Sequence, residues 1–232
     1  MNVSARPRKE TTEMVGHHLR WGPREHVLHG IPGDYVTEQA GMIGTFYESD
    51  LLAWIHVRGR EGVYIDVGAH VGNHSVFFAA ECPSTRVIAV EPNPRAVRVL
   101  RHNLRDHWDV SEVRACAVHD RWRTVDLIDI VQGNAGMART IEGTSIPCET
   151  LDALCAGADV AVIKVDVEGE EAAVVRSGMA TIRRCLPLLA IEVNSQVALD
   201  EIEALILPLG YKFAGLFGPA PSHAWAVDDG EV

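Results

Sequence analysis

Apolar residues along the chain change their period at regular intervals. Short runs in which nearly every position is apolar fall at 63–67, 87–91, 113–118, 160–166 and 188–193, and such runs read as strands buried on both faces. Between them, at 72–81, 94–107, 169–184 and 197–207, apolar positions recur three and four apart, which predicts helices. The second of these is the best marked. Asn93 is placed to cap it, Pro94 suits its first turn, and Val97, Leu100 and Leu104 repeat on one face. A further helix is predicted over 46–57, with Phe46, Leu51, Trp54 and Ile55 as its apolar positions. Strands alternating with helices of this length predict an α/β fold, a doubly wound, mostly parallel sheet with helices on both faces.

The remaining segments carry less pattern. Residues 1–40 mix charge with Gly and Pro without a sustained period, so 1–45 reads as an N-terminal extension and 46–232 as the main domain; in open α/β folds of this kind the N-terminal segment and the mouth loops are what cover an acceptor site. The polar stretch 131–136 interrupts the alternation inside 121–150, which predicts a hairpin and loop over the sheet edge or mouth. The tail from 210 onward holds two apolar runs around Gly218-Pro219-Ala220-Pro221, predicting two edge strands joined by a turn.

Composition narrows the function classes. The 232 residues suffice for one sizeable core. The net charge of −11, with no cluster of Lys and Arg, argues against a nucleic-acid partner and suits a neutral or cationic ligand. No apolar run is long enough for a membrane span and the polar N-terminus has no secretory signal pattern, so the expected location is cytoplasmic. Five cysteines without a C-x-x-C spacing give no disulfide framework or zinc site. The adjacent His17 and His18 point apart and read as solvated rather than ligating.

The chemistry concentrates where the first central strand turns into a helix, in "VYIDVGAHVGNHSVFF" at 63–78. Gly68 and Gly72 let the backbone turn sharply beside a ligand, at the strand end where open sheets bind one. Glu91 closes the next strand, 19 residues past Gly72, where an acid accepts hydrogen bonds from ribose hydroxyls. A dinucleotide corner needs G-x-G-x-x-G, whereas this one is G-x-x-x-G, preceded by Asp66, whose charge repels a pyrophosphate and attracts an ammonium. A sulfonium cofactor with an amino-acid end fits better than NAD. The rival readings are an NAD-dependent oxidoreductase and a non-catalytic nucleoside-binding module.

The segments "IDVGAHVGNHS", "AVEPNP", "IPCETLD", "IKVDVEGEEAAVVRSG" and "LAIEVN", in that order, resemble the FkbM family of S-adenosylmethionine-dependent methyltransferases over about residues 46–215. The resemblance implies a Rossmann-like seven-stranded methyltransferase sheet with its last strand antiparallel. It also implies O-methylation of a small-molecule hydroxyl, as on sugars, polyketides and other natural products, leaving S-adenosylhomocysteine. Carried over by position, Asp66, Gly68, Ala69, Gly72 and Asn73, with His74 beside them, hold the methionine moiety. Glu91 holds the ribose, Pro92 and Asn93 flank the adenine, and Ala117 and Val118, ending the third strand, meet its ring. Phe46 and Glu48 in "TFYES" match a segment that closes over the cofactor, although a core role for Phe46 is an equal alternative.

A second constellation is Lys164-Val165-Asp166-Val167-Glu168, where period-two alternation puts the three charged side chains on one face. The bland reading is an ion pair and a helix cap. The functional reading puts Asp166 and Glu168 where the methyl acceptor sits, with Lys164 and Glu192 beside them. Asp166, Glu168 and His70 or His74 are the candidates for the base that removes a hydroxyl proton. Asp166, Glu168, Glu192 and Asn194 present oxygen ligands that suit magnesium, but no metal site is assigned.

Overall fold

The computed structural model describes residues 13–129 and 138–227. The chain opens with a hairpin, β1 (Val15–Trp21) and β2 (Arg24–Gly30), followed by helices α1 (Tyr35–Ile43) and α2 (Ser49–Arg58). Then comes the alternation: β3 (Gly62–Val67), α3 (Asn73–Glu81), β4 (Ser84–Val90), α4 (Pro94–Asn103) and β5 (Ser111–Arg114). Four short strands follow, β6 (Ala117–Val118), β7 (Thr124–Asp129), β8 (Ala138–Glu142) and β9 (Ile146–Glu149), with the single-turn helix α5 (Leu151–Leu154). The last part comprises β10 (Val160–Val165), α6 (Glu171–Ser177), α7 (Met179–Cys185), β11 (Leu188–Glu192), α8 (Gln196–Ile206), β12 (Tyr211–Phe217) and β13 (Ser222–Val227).

Seven strands form one sheet in the order β12-β13-β11-β10-β3-β4-β5. The pairs from β11 to β5 are parallel, and β13 runs antiparallel to both its neighbours. Every residue of β3 and β10 is buried, which requires apolar cover on both faces. Val63, Ile65 and Val67 join a core with Val174, Ile182 and Ile202 of α6, α7 and α8. Tyr64, between them in sequence, faces the opposite core with Phe46, Leu51, Phe77 and Phe78.

One element was not expected and two expectations need correction. The hairpin β1–β2 lies in a segment without legible period: of its strand residues only Leu19, Leu28 and Gly30 are buried, too few to show alternation. The predicted strand at 113–118 is broken after Arg114, and Ala117–Val118 pairs instead with β9 in a four-stranded sheet ordered β6-β9-β7-β8. Of the two tail strands only β12 is an edge. Strand β13 inserts between β11 and β12, with Leu189 opposite Trp225, because Trp225 needs the core cover it receives there. The polar stretch 131–136 lies outside the described residues. Asn93 caps α4 by accepting from Arg95 N at 3.0 Å, with Pro94 in the first turn.

Candidate functional site

Strands β3, β4, β10 and β11 end together on one edge of the sheet. Beyond them lies a cavity of about 440 Å³, lined by Gly68, His70, Glu91, Pro92, Cys116, Ala117, Val118, Asp166, Val167, Glu168 and Glu192, among others. Its size and place are those of a small-molecule site in an open α/β sheet. The N-terminal segment closes one side with Asp34, Tyr35, Val36 and Tyr47, and the β7–β8 hairpin contributes Leu127 and Thr140.

The loop after β3 is held by its own hydrogen bonds. Gly68 N and Ala69 N donate to Val90 O at 2.9 and 3.0 Å, and Gly72 N donates to Ala69 O at 2.8 Å. Gly68 has φ +82°, and a Cβ there would lie 1.7 Å from the Asp166 carbonyl oxygen. Its glycine is therefore required by the end of β10 passing against the loop. Glu91 is 7% exposed and accepts from His70 N at 2.8 Å and Asn93 N at 2.7 Å, one bond to each carboxyl oxygen. Burial pushes its carboxyl upward, against the lowering effect of His70 and these N–H groups. Pro92, Cys116, Ala117 and Val118 form an apolar wall beside it, and burial pushes the Cys116 thiol up to about 12.

At the other end the alternation expected for 164–168 breaks. Strand β10 stops at Val165, and Glu168 takes the left-handed conformation at φ +56°, so the alternation does not run on to Glu168, while Lys164 stays paired with Asp166. Lys164 is fully buried, outside the cavity lining, with Nζ 3.5 Å from Asp166 Oδ2 and 3.9 Å from Glu48 Oε2. Burial disfavours its charge, but Asp166, Glu48, Glu192 and Asp66 outweigh burial and hold the ammonium above its ordinary value. Burial and the neighbouring Asp166 push Glu192 up to about 7. Burial and Asp166 also raise Glu168.

The segment "TFYES" works as a wedge whose consecutive side chains go to different places. Phe46 is fully buried, edge-on to His26 and Phe77, so the expectation that it closes over a cofactor gives way to a core role. Tyr47 faces the cavity and is braced by Asn73, which accepts from Tyr47 N and donates to Tyr47 O, both at 3.0 Å. Glu48, at φ +53°, turns inward beside Lys164, lies 3.0 Å from His74 Nε2 and accepts from Ser222 Oγ at 2.7 Å. Burial would raise this carboxyl, yet Lys164, His74 and Ser222 hold it at about 2.

Other expected contacts also lie behind the wall. Asp66 is 1% exposed and accepts from Ser75 Oγ at 2.5 Å, and burial raises its carboxyl. With Phe46, Glu48 and Lys164, the residues Ala69, Gly72, Asn73, His74 and Asn93 also lie outside the lining; they shape and brace the loop. A Cβ on Gly72 would meet Leu100 at 2.7 Å, and the Asn93 side chain is occupied as a cap. Of the oxygen set considered for magnesium, Asn194 lies in a separate groove between α6 and α8. Among the described residues no three His, Cys, Asp or Glu converge to hold a metal ion, and no helix is long and apolar enough to cross a membrane.

The sequence reading missed Asp34, Tyr35 and Tyr47. Asp34 caps α1, accepting from Thr37 N at 2.9 Å and Thr37 Oγ1 at 2.7 Å through Oδ1, while its Oδ2 lies 3.1 Å from His70 Nε2. The cap pattern of Asp34 was readable; its partner was not. Among the described residues four non-glycine positions have positive φ, and three of them, Glu48, His70 and Glu168, lie on or just behind the wall of this site. Such conformations are strained and persist where the surroundings fix them.

Residues 66–213 match the family described as "Methyltransferase FkbM domain". Among solved structures, the chain is similar to the methyltransferase FkbM from Methylobacillus flagellatus KT, at 18% identity and TM-score 0.55, over 72% of this chain and 43% of that one. The chain thus spans less than half the length of that relative. It is also similar to an rRNA methylase from Streptococcus thermophilus, at 14% identity and TM-score 0.49, over 77% and 95% of the two chains. A methyltransferase from Geobacter sulfurreducens matches at 14% identity and TM-score 0.48, over 78% of each. Among curated proteins no sequence matches.

Proposed function

The chain belongs to the FkbM methyltransferase family, and from that premise we propose that it transfers the methyl group of S-adenosylmethionine to a hydroxyl of a small molecule. The observation that carries this reading is the division of one cavity into two chemically different ends. Glu91, with an apolar wall at Pro92, Ala117 and Val118, forms one end. Asp166, Glu168 and Glu192 form the other.

The residues present fit such a cofactor. Each Glu91 oxygen accepts one backbone N–H and keeps a lone pair for a ribose hydroxyl. Cys116, Ala117 and Val118 offer an apolar wall without a competing polar side chain, which suits a purine ring. When bound, the cofactor supplies an electrophilic methyl on a sulfonium. The chain then has to place an acceptor oxygen and take its proton. Asp166 stands at the cavity floor with Lys164 behind it at 3.5 Å, where its carboxyl oxygens are placed to meet an acceptor hydroxyl. Glu192, raised to about 7, is the second candidate base and shares the same end. Burial, with Glu48, Tyr35, Glu192 and Asp166 nearby, pushes the Tyr47 phenol upward, so it stays protonated and can donate to the acceptor oxygen.

Carboxylates crowd the wall, which disfavours anionic acceptors such as nucleic acid and supports a neutral or cationic one, such as a sugar or polyketide hydroxyl. The experiment is methyl-labelled S-adenosylmethionine with a panel of polyols and polyketide alcohols, using the parent and Asp166→Asn. Label transfer to oxygen that falls at least about 100-fold in the variant supports the reading. Transfer to nitrogen or carbon, or an undiminished rate in Asp166→Asn, contradicts it.

A further inference from the structure

Segments from distant parts of the chain meet at the cavity. Ala117 and Val118 end β6 on its apolar wall, the turn from Asp166 to Glu168 forms its acid end, and the hairpin β7–β8 faces it with Leu127 and Thr140, which lie opposite each other in the ladder. The turn needs outside support. Glu168 holds φ +56° and Gly169 φ +110°, and the first is a strained conformation that persists where its surroundings fix it. Glu170, the next residue, stands at the N-cap of α6, yet its side chain makes no cap hydrogen bond. It turns instead to the other two segments.

We propose that Glu170 is a positioning residue that ties the apolar wall and the hairpin to the turn carrying Glu168, and so sets the acceptor end of the cavity. The chemistry of that end rests on the methyl-transfer reading above. Glu170 itself lies outside the cavity lining, so it acts through its neighbours. Its Oε2 lies 3.4 Å from Nε2 of His119, the residue that follows Val118. Arg121 N and Trp122 N donate to His119 Nδ1 at 3.0 and 3.2 Å, which makes Nδ1 the acceptor and leaves the ring proton on Nε2, facing Glu170. No charge on the ring is needed. Trp122 stacks on the buried imidazole at 3.9 Å and 3° between planes, which holds the ring in that orientation. The other carboxyl oxygen, Oε1, lies 3.9 Å from Nη2 of Arg139, the neighbour of Thr140 in β8. Arg139 also lies across the turn, since a Cβ on Gly169 would be 3.4 Å from its Nη2 and 3.7 Å from its Cζ and Nε. A separate tie leaves α6 fastened when Glu170 is replaced: Asp120 accepts from Arg176 Nε at 2.8 Å, near the other end of the helix.

Hydrogen exchange of the full-length protein reads these ties without a ligand. Glu170→Ala removes both, whereas Glu170→Gln keeps an acceptor for His119 and loses the charge toward Arg139. In Glu170→Ala, amides in 117–119, 138–142 and 166–169 should exchange about 3- to 10-fold faster, the effect of one lost hydrogen bond or ion pair. In Glu170→Gln the acceleration should persist at 138–142 and disappear at 117–119, a division that a purely local role in the turn would not produce. Both variants should bind S-adenosylhomocysteine within about threefold of the parent, because Glu91 is untouched. Methyl transfer to the acceptor found in the panel above should fall about 10- to 100-fold in Glu170→Ala, the effect of misplaced groups at the reacting end, and recover in part in Glu170→Gln. Acceleration confined to 168–173, the same exchange pattern in both variants, or an undiminished transfer rate in Glu170→Ala overturns the proposal. If the expected exchange pattern appears but the parent transfers no methyl group, the ties stand and the methyl-transfer reading fails.

Discussion

Replacing Glu48 by Gln tests the ionic floor under the cavity. Glu48 is 4% exposed and Lys164 is fully buried, so the substitution takes one charge from a buried group and leaves its partner behind. Two routes give the magnitude. Removing one member of a buried ion pair costs about 3–5 kcal/mol. Independently, a carboxyl lowered from 4.5 to about 2 corresponds to roughly 3 kcal/mol of stability. Asp166 remains 3.5 Å from Lys164 and Gln can still accept from Ser222, so the lower figure applies. For a domain of this length about 3 kcal/mol lowers Tm by roughly 6–12 °C. The sign with pH follows from the lowered value: Glu48 stabilises fully above about 4.5, and its contribution disappears as pH falls through about 2. Urea unfolding of the parent and Glu48→Gln at pH 7 measures the loss. The double variant Glu48→Gln, Lys164→Met, which removes both charges at similar volume, should recover most of it. A single-variant loss below about 0.5 kcal/mol, the range of ordinary surface substitutions, or a double variant no more stable than the single one, refutes the ion-pair account.

Two further outcomes follow from the same geometry. Gly68→Ala should fail to give stable folded protein, because its Cβ would enter the Asp166 carbonyl at 1.7 Å and φ is +82°; a variant with the parent's thermal melt and unaltered S-adenosylhomocysteine affinity contradicts this. Glu192 is raised to about 7, so its contribution to stability is full below about 4.5 and lost as pH rises through about 7. Glu192→Gln should then gain roughly 1–2 kcal/mol over the parent at pH 8, discounted for partial exposure. The gain should vanish near pH 4, and equal pH profiles of unfolding in the two proteins would count against it.

The central alternation was legible because its strands are buried on both faces and its helices carry caps and faces that depend only on near neighbours. The glycine corner, Glu91 and the two acids of 166–168 were legible for the same reason: strand ends mark the ligand edge of an open sheet. What escaped the sequence was everything set by contacts far along the chain. His70 meets Asp34, Asn73 braces Tyr47, and Glu48 reaches Ser222. Period-two reasoning placed Lys164 with Asp166 and Glu168; the pair with Asp166 is there, but the strand does not continue through Glu168, where φ is +56°. In "TFYES" adjacent residues part ways between core, cavity and ion pair, a division that no period encodes. The hairpin β1–β2 stayed hidden because histidines and glycines occupy positions where apolar residues would have marked an alternation.

The central claim is that the cavity is a nucleoside site read by Glu91. Isothermal titration of S-adenosylhomocysteine into the parent and into Glu91→Ala tests it most directly. The account predicts one site per chain in the parent and an affinity about 10- to 100-fold weaker in the variant, the effect of losing a charged hydrogen-bond acceptor. Circular dichroism has to show that the variant is folded, since Glu91 also holds the N–H groups of His70 and Asn93. A folded Glu91→Ala protein that binds S-adenosylhomocysteine as tightly as the parent would contradict the account.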